Sequence, residues 1–473
     1  MLEKIAEFRL MLQKPAEARS MKERLTIAAG LKAVEQAVMV VTRLAGTLVL
    51  TRLLAPETYG VFVVLITLQV MTTMLTDFGP RALILSMKAD EQVDDRFLNT
   101  CWSLQVLRGF LLLGVFVLLA LGIAWGQGGG LVAADSAYAA EDLPAAFAVL
   151  GLAVVLQGFE SMTQYLHERE LRLVRLTCIR IGIAVLSPLL MIGFALLTPT
   201  VWCMVLAAIV AHGCKTVLIQ AVLDGPRMRF LIDQRHWREV LTHLRWILSA
   251  SGLVALAREA DSFILGLFMP APALGVYFIA KQIVSLPLNF VQGLTASTGF
   301  QVFTRLLAYE DKAAMRRDYY RFRRPIDAAC YFLGGALVVA GPAVVALLYD
   351  PRYADAGVIV QILALALPTV GIMLTGAGFG AQRRFSVVTL VTFLDVAVLL
   401  AGLLVTLAVF ANPWAAFFVV ALFRLPSMVV LLWLGRREGW VSPLLEFSMA
   451  PLMLVGAAAG WAGAAVVTYL GFS

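Results

Sequence analysis

Apolar runs of about 20 residues recur along this whole chain, each long enough to cross a bilayer core of roughly 30 Å as a single helix. The strands of a membrane barrel would appear instead as shorter segments of alternating polarity. Inside a bilayer only helices and closed barrels satisfy their own backbone, so the pattern predicts a helical bundle. Hydropathy, with the turn and charge signals between runs, places spans at 31–53, 59–86, 99–124, 143–166, 174–198, 201–223, 246–269, 274–304, 325–348, 358–380, 387–410, 414–434 and 443–470. The fold class expected is an all-α integral membrane protein of about 12–13 transmembrane helices. The second and eighth runs are longer than one straight crossing needs, and each holds a breaker, Gly79-Pro80 in one and Pro287 in the other. Kinked or tilted helices are expected there.

The pattern also repeats. Residues 47–62 read TLVLTRLLAPETYGVF and residues 262–277 read SFILGLFMPAPALGVY, so that apolar positions, a Pro-containing turn and Gly60 with Gly275 align at an offset of 215. Spans one and two thereby match spans seven and eight. The organisation expected is a cytoplasmic amphipathic segment (1–30), a six-helix bundle (31–223), a basic linker helix (224–245), a second six-helix bundle (246–434) and an extra C-terminal helix (435–473). Transporters commonly place substrate at the interface of such repeats, here a central cavity.

Composition agrees: 60% of the 473 residues are hydrophobic and 15% charged, against roughly half and a quarter in soluble chains. The net charge of +7 does not indicate nucleic acid, because the basic residues lie in alternate loops. With the N-terminus inside, about 28 Lys and Arg fall on the inner side and about 2 outside. The stretch from Trp125 to Asp142 has neither Lys nor Arg, whereas Arg316, Arg317, Arg321, Arg323 and Arg324 crowd one loop. Arg317 is therefore expected in the cytoplasm and Ser136 outside, in a multi-pass membrane protein. The first 30 residues lack the apolar core of a cleavable signal. Leu2, Ile5, Phe8 and Leu12 recur at helical spacing and predict a helix on the membrane surface. Cys101, Cys178, Cys203, Cys214 and Cys330 lie in apolar runs without metal or disulfide spacing.

No enzyme signature is present. The chain has no GxxxxGK[ST] phosphate loop, and His167, His212, His236 and His243 form no metal-binding pattern. Asp94-Asp95 read as a solvated pair on an inner loop. The informative residues are charges within apolar runs, which are expensive and face protein or a wet cavity. Arg81, Lys215, Asp327 and Arg424 sit near span ends, where they would reach toward headgroups. Asp77 and Arg81, four apart, would pair on one helix face, and Asp261 would pair with Arg258 three residues before it. Arg43, Arg258 and Lys281 lie deeper or in the repeated spans. Buried cations without matching anions suit a phosphate or pyrophosphate, to which Arg offers a planar donor fork. Asp261, Asp77 and Glu35 are the carboxylates through which H⁺ or Na⁺ would act, and Gln282, Tyr277 and Gln69 would meet sugar. No metal site and no cofactor is expected.

Several stretches resemble the polysaccharide-flippase (Wzx-type) branch of the multidrug/oligosaccharidyl-lipid/polysaccharide exporter superfamily, and in particular exporters of the colanic-acid type. They are TRLLAPETYGVF (51–62), DFG (77–79), AREADSFILGLF (257–268), LGVYFIAKQI (274–283), FTRLLAYEDK (303–312) and LYDPRYADAGVIVQILALALP (348–368). The resemblance implies two six-helix lobes and the flipping of undecaprenyl-diphosphate-linked oligosaccharides by alternating access. It puts Arg258 and Asp261 in the span-seven motif and Gly275 and Tyr277 in the span-eight motif. The partners implied are that lipid-linked oligosaccharide, membrane lipids and the polysaccharide polymerase or assembly machinery, and no nucleic acid. A cation-coupled multidrug antiporter of the same superfamily, a membrane polymerase or ligase, and a non-transporting scaffold are the competing readings. An antiporter would favour unpaired acids, an enzyme a large outer loop, and a scaffold would need no buried charge.

Overall fold

The structure is a computed structural model that describes residues 21–87, 93–294, 303, 306 and 311–469. The surface helix expected near the N-terminus falls largely on residues outside this range. Among the described residues, eleven helices are long and apolar enough to cross a membrane, or twelve if one bent pair counts as a single span. The remaining expected span, the seventh, lies within a 35-residue helix that carries Arg258, Glu259 and Asp261.

Two compact units make up the chain. One consists of the described residues up to Leu54, with Gln69–Leu131 and Glu141–Gly252; the other of Ala55–Leu68, Val132–Ala140 and the described residues from Leu253 onward. The first unit opens on α1 (Met21–Leu53). The second expected span is two helices, α2 (Pro56–Leu75) and α3 (Pro80–Ser86). Gly79 stands between them in a left-handed conformation (φ 67°) with Pro80 starting α3. Proline has no N–H to continue a helix, and glycine adopts positive φ without a Cβ penalty. The Asp77 carboxylate accepts from the Gly79 N–H at 3.0 Å. The break, rather than tilt, accounts for the extra length of this run.

Next come α4 (Asp95–Gly128) and α5 (Leu143–Gly158), with α6 (Thr163–Arg169). The last two form the bent pair, at 58°. Asp94 is the N-cap of α4: the Arg96 N–H donates to it at 3.0 Å and holds its carboxyl below the usual range. Asp94 and Asp95 are both exposed, as expected of a solvated pair, and Asp94 is in addition a cap. The unit continues through α7 (Leu173–Leu197) and α8 (Val201–Val222). The chain then runs extended along α4. Arg229, Leu231 and Asp233 donate backbone N–H to the side chains of Asn99 (2.7 Å), Ser103 (2.9 Å) and Thr100 (3.1 Å). Three polar side chains thus satisfy backbone that no strand partner reaches. The following α9 (Gln234–Phe268) is continuous from the end of the linker through the seventh span.

In the second unit, α10 (Ala271–Leu294) contains Pro287 without breaking, and the expected span beyond Leu294 lies outside the described residues. The 37-residue α11 (Lys312–Leu348) is capped by Asp311, which accepts from the Ala313 and Ala314 N–H groups. The tenth span is α12 (Ala356–Leu363), a 3₁₀ stretch (Ala364–Ile372) around Pro368, and α13 (Met373–Ala381). The unit ends with α14 (Phe385–Leu404), α15 (Pro413–Leu422), α16 (Leu425–Glu438), the short α17 (Pro443–Glu446) and α18 (Pro451–Tyr469).

The repeat read from the sequence has a structural counterpart inside this unit. A Cβ on Gly60 would lie 1.8 Å from the Ala271 carbonyl oxygen, and one on Gly275 2.1 Å from that of Pro56. Ala271 and Gly275 stand at the repeat offset of 215 from Pro56 and Gly60. The contact is therefore reciprocal, each glycine admitting the backbone of the other copy. Backbone proximity through small residues also fixes α18 on α11: a Cβ on Gly456 would meet the Phe332 carbonyl at 2.0 Å, and one on Gly460 that of Ala336 at 2.5 Å. The two helices run in the same direction.

Candidate functional site

Charge inside the first unit is organised as ion pairs that cross helices. Arg81 reaches Glu168 at 2.7 Å, and Arg180 also pairs with Glu168. Arg180 lies 3.8 Å from Glu35, which takes Lys32 at 2.9 Å. Lys215 holds Glu160 at 2.8 Å, and Gln164 donates to the same carboxylate at 3.1 Å. Glu35, Glu160 and Glu168 are buried, so each requires its cation. Arg81 therefore pairs with α6 rather than with Asp77, because the break at Gly79 destroys the helix register that would align the two. Lys215 turns inward to Glu160 instead of reaching to headgroups.

Beside these pairs lies a polar cavity of about 250 Å³, lined among others by Asp77, Arg81, Gln105, Arg108, Glu160 and Tyr165. Arg108 donates to the Thr73 carbonyl and, at 3.2 Å, to the Thr76 hydroxyl. It thereby caps the last turn of α2, where the Thr73 carbonyl otherwise takes only a long bond from the Thr76 N–H at 3.4 Å and one from the Thr76 hydroxyl at 3.1 Å. No carboxylate comes within ion-pair distance of Arg108 among the described residues. Arg108 stands in an apolar run, but no local spacing marks it as a cap. Gln105 and Tyr165 carried no signal.

In the second unit the repeated spans bring together four of the expected residues. Lys281 on α10 donates to both Asp261 oxygens on α9, at 2.9 and 2.8 Å, and to the Ser262 hydroxyl at 2.9 Å. The Tyr277 hydroxyl donates to the same carboxylate. Lys281 also donates to the backbone carbonyl of Arg258 at 3.3 Å. The expected partner of Asp261 was Arg258, three residues away; the tertiary partner is Lys281, because α10 packs beside that face of α9. Tyr277 is fully enclosed and stacks on Phe417 at 5.6 Å. It supports the carboxylate in this conformation. Gln282 is buried, and the Arg258 side chain is exposed. Arg43, Glu35, Asp77 and Gln69 belong to the first unit, with Arg43 exposed on α1.

A third cluster joins Arg323, expected in a basic loop, and Asp327, expected near headgroups, in a buried network. Arg323 on α11 pairs with Asp327 at 3.0 Å and with Glu446 on α17. It also donates to the Tyr319 hydroxyl at 2.7 Å, while the Tyr320 hydroxyl donates to Glu446 at 2.8 Å. Asp327 is 2% exposed and does not reach to headgroups. Two carboxylates and one guanidinium anchor α17 to α11 deep in the unit.

A family model described as "Polysaccharide biosynthesis protein" matches residues 49–356. The teichuronic acid biosynthesis protein TuaB of Bacillus subtilis (strain 168) is 22% identical over 297 residues, which are 63% of this chain. That match spans 58% of TuaB's own length. The lipid II flippase MurJ in its inward closed conformation superposes with a TM-score of 0.60 at 9% identity, covering 94% of this chain and 99% of MurJ. An inward-facing multidrug resistance MATE family transporter superposes with a TM-score of 0.63 at 15% identity, covering 87% and 96%. The chain is thus a multi-pass membrane protein of the polysaccharide biosynthesis protein family, with the fold of the flippases and transporters of the multidrug/oligosaccharidyl-lipid/polysaccharide exporter superfamily.

Proposed function

We propose that the chain is a carrier that moves undecaprenyl-diphosphate-linked oligosaccharides across the bacterial inner membrane by alternating access. The observation that carries this reading is the charge state around Arg258. Its guanidinium is exposed, and the carboxylate nearest in sequence on its own helix face, Asp261, is already neutralised by Lys281. Such an arrangement has positive charge to offer a diphosphate, and the planar fork of arginine suits phosphate oxygens. Within the second unit Lys281 supports Arg258 and Gln282 is the proposed sugar contact; in the first unit Arg43, exposed on α1, and Gln69 are separately proposed phosphate and sugar contacts. A drug-cation antiporter is less well supported, since Glu35, Glu160, Glu168, Asp261 and Asp327 have cationic partners, although, of the acids named on the polar cavity, Asp77 forms no ion pair among the described residues.

A diphosphate carrying about two charges gains on the order of 4–5 kcal/mol when it leaves a negative interior at 100 mV. Outward flipping is thus favoured by the potential, and return of the empty carrier is the costly step. In proteoliposomes loaded with the lipid-linked oligosaccharide, Arg258→Gln is expected to slow flipping at least tenfold and Arg437→Gln to leave it unchanged. Wild-type flipping by Arg258→Gln would rule out this phosphate site.

The orientation proposed places the N-terminus and Arg317 in the cytoplasm. Ser136 is buried, so the outer side is best probed at its exposed neighbour Asp135. With the exposed Cys178 replaced, an impermeant thiol reagent on intact cells is expected to label Asp135→Cys and spare Arg317→Cys. The opposite pattern would invert the topology.

A further inference from the structure

Outside these clusters, α11 and α18 form a groove whose two ends differ in chemistry. Near the start of both helices a groove of about 510 Å³ is lined by Arg317, Arg321, Arg324, Pro325, Ala328 and Met449. All three arginines are exposed. Arg317 has a distant carboxylate, Asp318 at 3.8 Å. Arg321 and Arg324 form no ion pair among the described residues. One helical turn beyond Ala328, a second groove of about 270 Å³ begins, lined by Phe332, Ala336 and Val344 of α11 and Ala459, Gly463 and Val467 of α18, among other small apolar residues.

These positions share one face of α11, since 317, 321, 324, 328, 332 and 336 follow a three- and four-residue spacing. At 1.5 Å per residue, Arg324 to Ala336 rises about 18 Å, close to the roughly 15 Å depth of one leaflet's hydrocarbon. The cationic end therefore falls at headgroup level and the apolar part at acyl-chain level. The small side chains of α18 keep that part concave, because Gly456 and Gly460 draw the two backbones together. Charge and polarity along the groove thus match, in order, a lipid with an anionic head and an acyl tail, which would fill the near half of an apolar groove that continues to Val344, about 30 Å from Arg324.

We propose that this groove is a binding site for an anionic phospholipid, its phosphate held by Arg321 and Arg324 and one acyl chain laid along Ala328, Phe332, Ala336 and Ala459. The site is separate from Arg258 and from the buried Arg323 cluster, so it stands whether or not the chain carries lipid-linked sugar. Its occupant is a resident membrane lipid lying over the α11–α18 seam, which the contacts at Gly456 and Gly460 already hold together.

The test uses the full chain in nanodiscs of phosphatidylcholine doped with phosphatidylglycerol bearing a photoreactive acyl chain. Cross-linked peptides are mapped by mass spectrometry, with photoreactive phosphatidylcholine as the comparison. Each arginine near an anionic headgroup is worth about fivefold in partition, so two should give roughly 30-fold preferential labelling of the α11 and α18 peptides by phosphatidylglycerol. Arg321→Gln/Arg324→Gln should abolish that preference while leaving the melting temperature unchanged. Ala459→Leu, an exposed position that fills the apolar part, should reduce labelling by both lipids. Equal labelling by the two lipids, or a preference that survives the double variant, would overturn the proposal. Displacement of the label by inorganic phosphate would assign the arginines to a free anion. Displacement by a polyprenyl diphosphate in preference to phosphatidylglycerol would assign the groove to the transported lipid. Either displacement overturns the phospholipid site as well.

Discussion

Arg323→Met is expected to destabilise the folded protein by about 3–5 kcal/mol, the usual cost of stripping one partner from a buried ion pair. The guanidinium side chain is 4% exposed, and those of its partners Asp327 and Glu446 are 3% and 2%. Without it, two carboxylates remain in an apolar interior, and Tyr319 loses a charged donor at 2.7 Å. The gap cannot be closed by a small shift. Gly371 lies so close that a Cβ there would stand 1.6 Å from an Asp327 oxygen. Detergent-solubilised protein should lose monodispersity at a clearly lower temperature, and α17 should become protease-sensitive first, since Glu446 holds it to α11. The triple variant Arg323→Met/Asp327→Leu/Glu446→Leu should recover most of the loss, because it removes the charges together. Arg324→Gln, one residue away but exposed, should melt like the wild type. If Arg323→Met does so too, the cluster is not an anchor.

Breaking the Asp261–Lys281 pair one partner at a time is expected to harm transport more than its modest exposure implies. Lys281→Met would leave the Asp261 carboxylate, 7% exposed in its side chain, with only the Tyr277 hydroxyl and no counter-charge. Asp261→Asn would leave the Lys281 ammonium, 29% exposed, unneutralised on the next helix. Partial solvation of the lysine reduces the cost, so each single change should destabilise by about 1–3 kcal/mol. Asp261→Asn/Lys281→Met restores neutrality and should restore the melting temperature. Transport then separates two roles. If the carboxylate couples flipping to an ion or to the membrane potential, Asp261→Asn and the double variant should both flip about tenfold more slowly and lose their response to imposed gradients. An ion biases inward against outward states only where it binds them unequally. Normal flipping by Asp261→Asn at every imposed potential and ion gradient would reduce the pair to a structural tie.

The membrane-spanning helical class was legible in the apolar runs because a bilayer leaves the backbone few alternatives. The break at Gly79-Pro80 was legible for a local reason as well: a missing N–H and a left-handed glycine act within one turn. The repeat was readable from 47–62 and 262–277, and its glycines proved to meet reciprocally at backbone distance. Charge pairing was not readable. In Arg321-Phe322-Arg323-Arg324, three chemically identical side chains differ only by about 100° of helix rotation per residue. That rotation places Arg323 in the interior and leaves Arg321 and Arg324 exposed. Its partner Glu446 is far away in the sequence, so no local spacing announces it. The same limit sent Asp261 to Lys281 instead of Arg258, and Arg81 to Glu168 instead of Asp77. Sequence alone determined which segments enter the membrane, because that depends on the summed polarity of each run. Only the tertiary structure decided which buried charge meets which, because a buried ion must be neutralised by whatever neighbouring helix reaches it, and helix packing, not chain order, chooses that neighbour.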